Sequence, residues 1–222
     1  LTVGRASLGR RRFCEGCGPF ITGARKKHNQ FSMDRTPILT EFLSAALAAI
    51  VVLLLSLLIL PPGLAVISGL LGLAMLVIAL ADSRCFIVPD LLSLPAIVGG
   101  LLASGRLLDP ASSTLVSSDH VIGMVAGGLG FWLVRVAYAW LRGQEGLGLG
   151  DVKLAAAAGA WVSWQELANV VLLASSLALA AITLVSLVRG ESVSATDKLP
   201  FGCFLAPSIW LVWLLGVYSR TA

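Results

Sequence analysis

Five apolar runs of bilayer-crossing length leave this chain few ways to fold: Phe42–Leu60, Leu64–Ala81, Val121–Leu141, Ala168–Val188 and Pro200–Ser219. Each is near the roughly 20 residues that a helix needs to cross a hydrocarbon core. Lipid offers no partner to a backbone N–H or C=O, so such runs must close their hydrogen bonds internally as helices. A composition of 57% hydrophobic and 13% charged residues, with a mean hydropathy of +0.91, excludes an ordinary soluble domain. The expectation is an all-α, polytopic membrane protein. Two shorter runs, Leu91–Ser104 and Val152–Trp164, read either as short spans or as re-entrant or core segments. Each begins beside an aspartate of chemical interest, which favours counting them. The expected total is therefore six to seven spans, seven if both count. Short or broken helices at that depth need protein or a watery cavity around them.

The formal net charge of +4 is a property of the N-terminal tail. Residues 1–32 hold seven Lys or Arg against Glu15, whereas residues 33–222 hold nine against eleven acids. No basic face of a folded domain is visible, so the bilayer and not nucleic acid is the expected surrounding. A cytoplasmic N-terminus puts the tail, Arg84, Arg142, Lys153, Arg189 and Lys198 at cytoplasmic ends and leaves Arg106 and Arg220 outside. That satisfies the positive-inside rule with seven spans. Residues 1–32 read as a basic, disordered extension before a membrane-embedded domain over 33–222, with Met33 a sensible start. Arg10-Arg11-Arg12 is followed by no apolar segment of a secretory signal before Phe42. Cys14 and Cys17 have CxxC spacing, but a closed zinc site wants four ligands and only His28 is near. No metal is expected, and Cys85 and Cys203, near the cytoplasmic side, imply no disulfide.

Two carboxylates stand out in this apolar frame. Gly148-Leu149-Gly150-Asp151 opens one helical run, and Asp82 ends another. A carboxylate at such a place is costly and needs a functional reason. Two carboxylates packed together cannot both ionise cheaply, so the pair tends to hold one proton. The ionised partner can take a proton from a water that attacks a peptide carbonyl, while the protonated partner hydrogen-bonds the carbonyl oxygen. No metal, cofactor or covalent nucleophile is needed. The chain has no HExxH, and His28 and His120 lie far from Asp151 in sequence and expected topology. Helix capping by the two aspartates is the bland alternative. The non-enzymatic one is a small carrier or channel with the aspartates as a proton relay, although that favours internal repeats and charges at the midplane.

The neighbouring residues carry their own expectations. The glycine-rich approach over 142–150 lacks the context of a phosphate loop, and its backbone is free to hold an extended substrate beside the carboxylate. Lys153 either tunes Asp151 or snorkels to lipid headgroups. Arg135, inside a span, either pairs with a carboxylate or snorkels. Asp90, after Pro89, is a natural cap for the run at Leu91. Trp140, Trp161, Trp164, Trp210 and Trp213 read mostly as interfacial anchors, and Gly127, Gly128 and Gly130 as marks of close helix packing.

Glu145-Gly146-Leu147-Gly148-Leu149-Gly150-Asp151-Val152-Lys153-Leu154, with Gly159-Ala160-Trp161 beyond it, resembles the GxGD signature of the type IV prepilin peptidases. Asp82 with Val88-Pro89-Asp90 resembles that family's first catalytic aspartate and its following Ile/Leu-Pro-Asp/Asn. Lys198-Leu199-Pro200-Phe201-Gly202-Cys203-Phe204-Leu205-Ala206 resembles the Pro-Phe-Gly-Pro-Phe-Leu-Ala run that opens the family's last helix. The three motifs occur in order within residues 42–219. The resemblance implies an aspartic endopeptidase that clips the basic leader from prepilins or pilin-like secretion subunits. It places the cleavage at the cytoplasmic face of the bacterial inner membrane. It puts Asp82 and Asp151 in the catalytic positions, and Gly148, Gly150, Lys153, Pro89, Phe201 and Gly202 in substrate-binding or supporting ones. Larger members carry a cytoplasmic domain with two CxxC pairs that binds zinc and accompanies N-methylation. The expectation here is the short form without it. Cys203 stands where the family usually has proline, a departure expected to affect local helix geometry and not chemistry.

Overall fold

The computed structural model describes residues 38–86, 88–107, 116–143, 146–189 and 200–221. Residues 1–32, with the CxxC pair and the arginine cluster, lie outside them, as do Met33, Glu145 and Lys198. The chain forms α1 (Ile38–Ile59), α2 (Pro62–Cys85), α3 (Asp90–Leu102), α4 (Ser118–Arg142), α5 (Leu149–Arg189) and α6 (Gly202–Thr221), with one π turn, Ala103–Leu107, after α3. Pro62 opens α2, where its missing N–H costs nothing. Gly143 closes α4 with φ +65°, a left-handed conformation that glycine adopts without strain, and its N–H returns to the Ala139 carbonyl at 2.9 Å.

At 41 residues, α5 would measure about 60 Å if straight, roughly twice the hydrocarbon thickness. It is not straight, because Ser163 has φ 69° and ψ 174°. The contacts of α4 show what this break does. Gly123 abuts the Gly159 carbonyl before the break and the Ser163–Trp164 backbone at it, while Gly127, one turn on, abuts the Ala155 carbonyl and the Leu167 side chain. Moving along α4 therefore runs backward through residues 149–162 and forward through 164–189. The two limbs are antiparallel, and they are the runs Val152–Trp164 and Ala168–Val188. Among the described residues, five helices are long and apolar enough to cross a membrane. A total of six to seven is reached only by adding the 13-residue α3 and counting the limbs of α5 separately.

The first limb of α5 sits inside the protein, whereas α3 buries only Ser93, Ala96 and Gly100 and leaves Leu91, Leu94, Val98 and Leu102 exposed. Along the first limb of α5, Leu154, Ala155, Ala157, Ala158, Ala160, Trp161 and Val162 are all buried. Small residues let the neighbouring backbones approach. A Cβ on Gly159 would run into the Gly123 carbonyl, one on Gly127 into that of Ala155, and one on Gly100 would lie 2.8 Å from the Trp161 ring. Gly128 touches Ala156, but Gly130 has nothing within 4 Å and is no packing glycine.

The tryptophans also divide. Trp140 and Trp164 are exposed, as anchors would be, but Trp161, Trp210 and Trp213 are buried. Their N–H groups explain two of these placements: Trp161 Nε1 donates to the Ala96 carbonyl at 2.7 Å, joining α5 to α3, and Trp210 Nε1 donates to Ser68 Oγ at 3.2 Å, joining α6 to α2. Trp161 and Trp213 meet edge to face at 5.5 Å. Helix α1 is the peripheral element. It leaves Leu43, Leu47, Leu57 and Leu58 exposed and meets α2 through the buried Ser56–Ser68 hydroxyl pair at 2.8 Å.

Candidate active site

Asp82 lies in the last turn of α2 and Asp151 in the first turn of α5. Packing brings both to the first turn of α6, with Asp82 5% and Asp151 8% exposed. The local fold of α6 explains the docking. Phe201 opens the helix, its carbonyl accepting the N–H groups of Phe204 and Leu205 at 3.0 Å each. The first amides of a helix have no partner within it. Here the Cys203 N–H donates to Asp82 Oδ2 at 2.9 Å, and the Gly202 amide faces the same carboxylate.

Gly202 sets the spacing of the pair. A Cβ at Gly202 would lie 2.8 Å from Asp82 Oδ2 and 3.1 Å from Asp151 Oδ1. These two oxygens are therefore no farther apart than the sum of those distances, with only a hydrogen between them and the Gly202 Cα. Two buried carboxylates this near each other oppose simultaneous ionisation, so the pair favours holding one proton between its two members. Among the described residues no group of three His, Cys, Asp or Glu gathers to hold a metal.

The other residues singled out in the sequence take distinct places. Gly148 keeps the Asp151 side open: a Cβ there would be 3.5 Å from Asp151 Oδ2, and the Gly148 amide faces that carboxylate. Gly150 is a packing residue, since its Cβ would lie 2.7 Å from Val88. It thus presses the start of α5 onto the Val88-Pro89 turn. Pro89 caps α3 with its carbonyl, which accepts from Leu92 and Ser93 at 3.1 Å each. Asp90 is consequently not the cap; it is the first residue of α3, and its carboxylate pairs with Lys153. That pair joins α3 to α5 close to Asp151 in the chain. Phe201 packs on Phe131 of α4, with ring centroids 6.3 Å apart.

Arg135 ties α4 to the approach loop. Its Nη1 donates to the Leu147 carbonyl at 2.6 Å, and the Tyr138 ring lies against Gly146. Helix α4 thereby holds the loop that leads into Asp151. His120 is at the other end of the molecule, its Nδ1 2.9 Å from the Ala160 carbonyl and its side chain toward Arg220. Cys85 and Cys203 are free thiols. The contributions that residue type did not reveal are the Cys203 amide, the Val88 contact and the Arg135–Leu147 tie. The first is a main-chain group, and the others join residues far apart in sequence.

Comparison with known proteins bears on this site. A family model described as "Type IV leader peptidase family" matches residues 69–184, a stretch that holds both aspartates. A prepilin leader peptidase/N-methyltransferase of Dickeya chrysanthemi is 41% identical over 66% of this chain and 50% of its own length. One of Aeromonas salmonicida is 37% identical over 91% of this chain and 62% of its own length. One of Burkholderia pseudomallei is 40% identical over 78% of this chain and 54% of its own length. The chain thus spans between half and two thirds of these relatives. No solved structure matches it.

Proposed function

The chain belongs to the type IV leader peptidase family, and we propose that it is a membrane aspartic endopeptidase that removes the leader of type IV prepilins or pilin-like secretion subunits. The observation that carries this reading is the convergence of Asp82 and Asp151 on Gly202, from helix ends far apart in sequence. In the reaction, the ionised carboxylate takes a proton from water as the water oxygen bonds to the scissile carbonyl carbon. The protonated carboxyl hydrogen-bonds the carbonyl oxygen as it gains charge. Return of a proton to the leaving nitrogen breaks the C–N bond and resets the pair.

The basic residues support an orientation with the aspartates at the cytoplasmic face of the inner membrane. Arg84, Arg142 and Lys153 lie on helix turns at the aspartate end, whereas Arg220 lies at the other. The loop over 146–148, held by Arg135 and open at Gly148, is the backbone against which an extended leader would lie. A proton-relaying carrier would place its carboxylates toward the midplane, and these sit at helix ends. The test is to incubate the purified chain in detergent with leader-bearing pilin peptides and read the products by mass. A single cut releasing the basic leader is expected; peptides left intact by folded protein would refute the reading.

A further inference from the structure

At the end of the protein away from the aspartates, α4, α5 and α6 enclose a half-open recess whose walls include His120, Trp161, Glu166, Trp213, Val217 and Arg220. His120 comes from the first turn of α4 and Arg220 from the last turn of α6, while Trp161 and Glu166 lie on either side of the break at Ser163. The two indoles and the valine make an apolar wall. Glu166 and Arg220 set one anion and one cation beside it. His120 is 6% exposed and its Nδ1 lies 2.9 Å from the Ala160 carbonyl. A carbonyl only accepts, so Nδ1 carries the proton and the neutral ring offers Nε2 as an acceptor. Glu166 Oε2 accepts from Asn169 at 2.6 Å, and a carboxylate has a second oxygen to offer. Trp213 is buried, and its indole N–H has no acceptor among the described residues.

We propose that this recess binds the phosphoethanolamine headgroup of a membrane lipid. The Arg220 guanidinium donates to the phosphate, whose oxygens are also the kind of acceptor that the Trp213 N–H lacks. The ammonium donates to Glu166 and to His120 Nε2, and the ethylene link lies against the apolar wall. The charges select among headgroups. A phosphocholine has no N–H to donate, and a phosphoglycerol brings no cation to Glu166. The depth of the recess argues for a lipid, because α4 begins and α6 ends there and the neighbouring Trp164 is 51% exposed, as an indole at the headgroup level is. A lipid so held ties α4 and α6 to both limbs of α5 where the chain reverses. The proposal does not rest on the peptidase reading.

The test offers the purified, delipidated chain in detergent equal amounts of phosphatidylethanolamine, phosphatidylcholine and phosphatidylglycerol with the same acyl chains, and weighs the complexes by native mass spectrometry. One phosphatidylethanolamine should be retained in preference to the others. It should also raise the melting temperature of the helical signal, since a ligand of the folded state stabilises it. Arg220→Gln and Glu166→Gln each remove one charged partner and should weaken retention by about tenfold or more; either suffices if the other does not fold. Arg142→Gln, at the aspartate end, should bind as wild type does. Equal binding of the three lipids, or retention by Arg220→Gln and Glu166→Gln equal to wild type, would overturn the proposal. Glycerophosphoethanolamine, the same headgroup without acyl chains, separates a lipid from a soluble ligand. Displacement of the lipid by an equal concentration of it would overturn the assignment to a lipid. Leader cleavage is not a readout, so its failure and the failure of this proposal are distinguishable.

Discussion

Replacing Gly202 with alanine adds one methyl group between the two carboxylates and nothing else. The new Cβ would stand 2.8 Å from Asp82 Oδ2 and 3.1 Å from Asp151 Oδ1, whereas carbon and oxygen rest at about 3.3–3.6 Å when in weak contact. Asp82 must therefore retreat by roughly half an ångström or more, and its bond to the Cys203 amide opposes any simple rotation. A misplacement of about 1 Å can cost about a hundredfold in rate. Leader cleavage by Gly202→Ala should accordingly fall by about tenfold to a hundredfold. Any overpacking cost to stability, about 1–3 kcal/mol, is read separately from the rate. Gly216→Ala on the same helix is the control, since its Cβ meets nothing within 4 Å. The assay is the initial rate of cleavage in detergent beside a thermal melt of the helical signal. Wild-type turnover by well-folded Gly202→Ala would refute the arrangement of the pair about Gly202.

Gly159→Ala and Gly123→Ala should destabilise the protein by about 1–3 kcal/mol or more, the usual cost of overpacking, because α4 and α5 touch backbone to backbone there; lower melting temperatures against a Gly130→Ala control would show it. Arg135→Met frees the Leu147 carbonyl and should slow cleavage more than it lowers stability, which parallel kinetics and melts would separate; equal losses in both would make the tie merely structural. In a chain otherwise without cysteine, Ser83→Cys and Arg142→Cys should be shielded from an impermeant external thiol reagent in intact cells while Ser117→Cys reacts. The opposite labelling would invert the topology.

Much of this arrangement is legible in the amino-acid sequence, and what is not has physical causes. The helices could be read because lipid forces helical closure on any long apolar run, and Asp82 and Asp151 because charge in such runs is rare and costly. Nothing in Val162-Ser163-Trp164 announces a reversal, since serine carries no intrinsic preference for φ 69°; the break is buried, with Gly123 of α4 against its backbone. Trp161, Trp210 and Trp213 resemble interfacial residues by position alone. Their burial follows from finding acceptors or ring faces on other helices. The Asp90–Lys153 pair joins separate helices and leaves no trace in local spacing. The Cys203 N–H that Asp82 accepts is a main-chain group and leaves no mark in residue type.

The central claim, that Asp82 and Asp151 together perform the hydrolysis, is tested most directly by three asparagine substitutions assayed side by side on a leader-bearing pilin peptide. Asp82→Asn and Asp151→Asn should each lower cleavage by at least about a hundredfold, since an amide cannot exchange the proton, while the purified protein keeps its helical melt. Asp90→Asn loses only a pair whose side chains are 38% and 61% exposed, worth about 0–1 kcal/mol, and should cleave nearly as well as wild type. Undiminished cleavage by folded Asp82→Asn or Asp151→Asn would contradict the account.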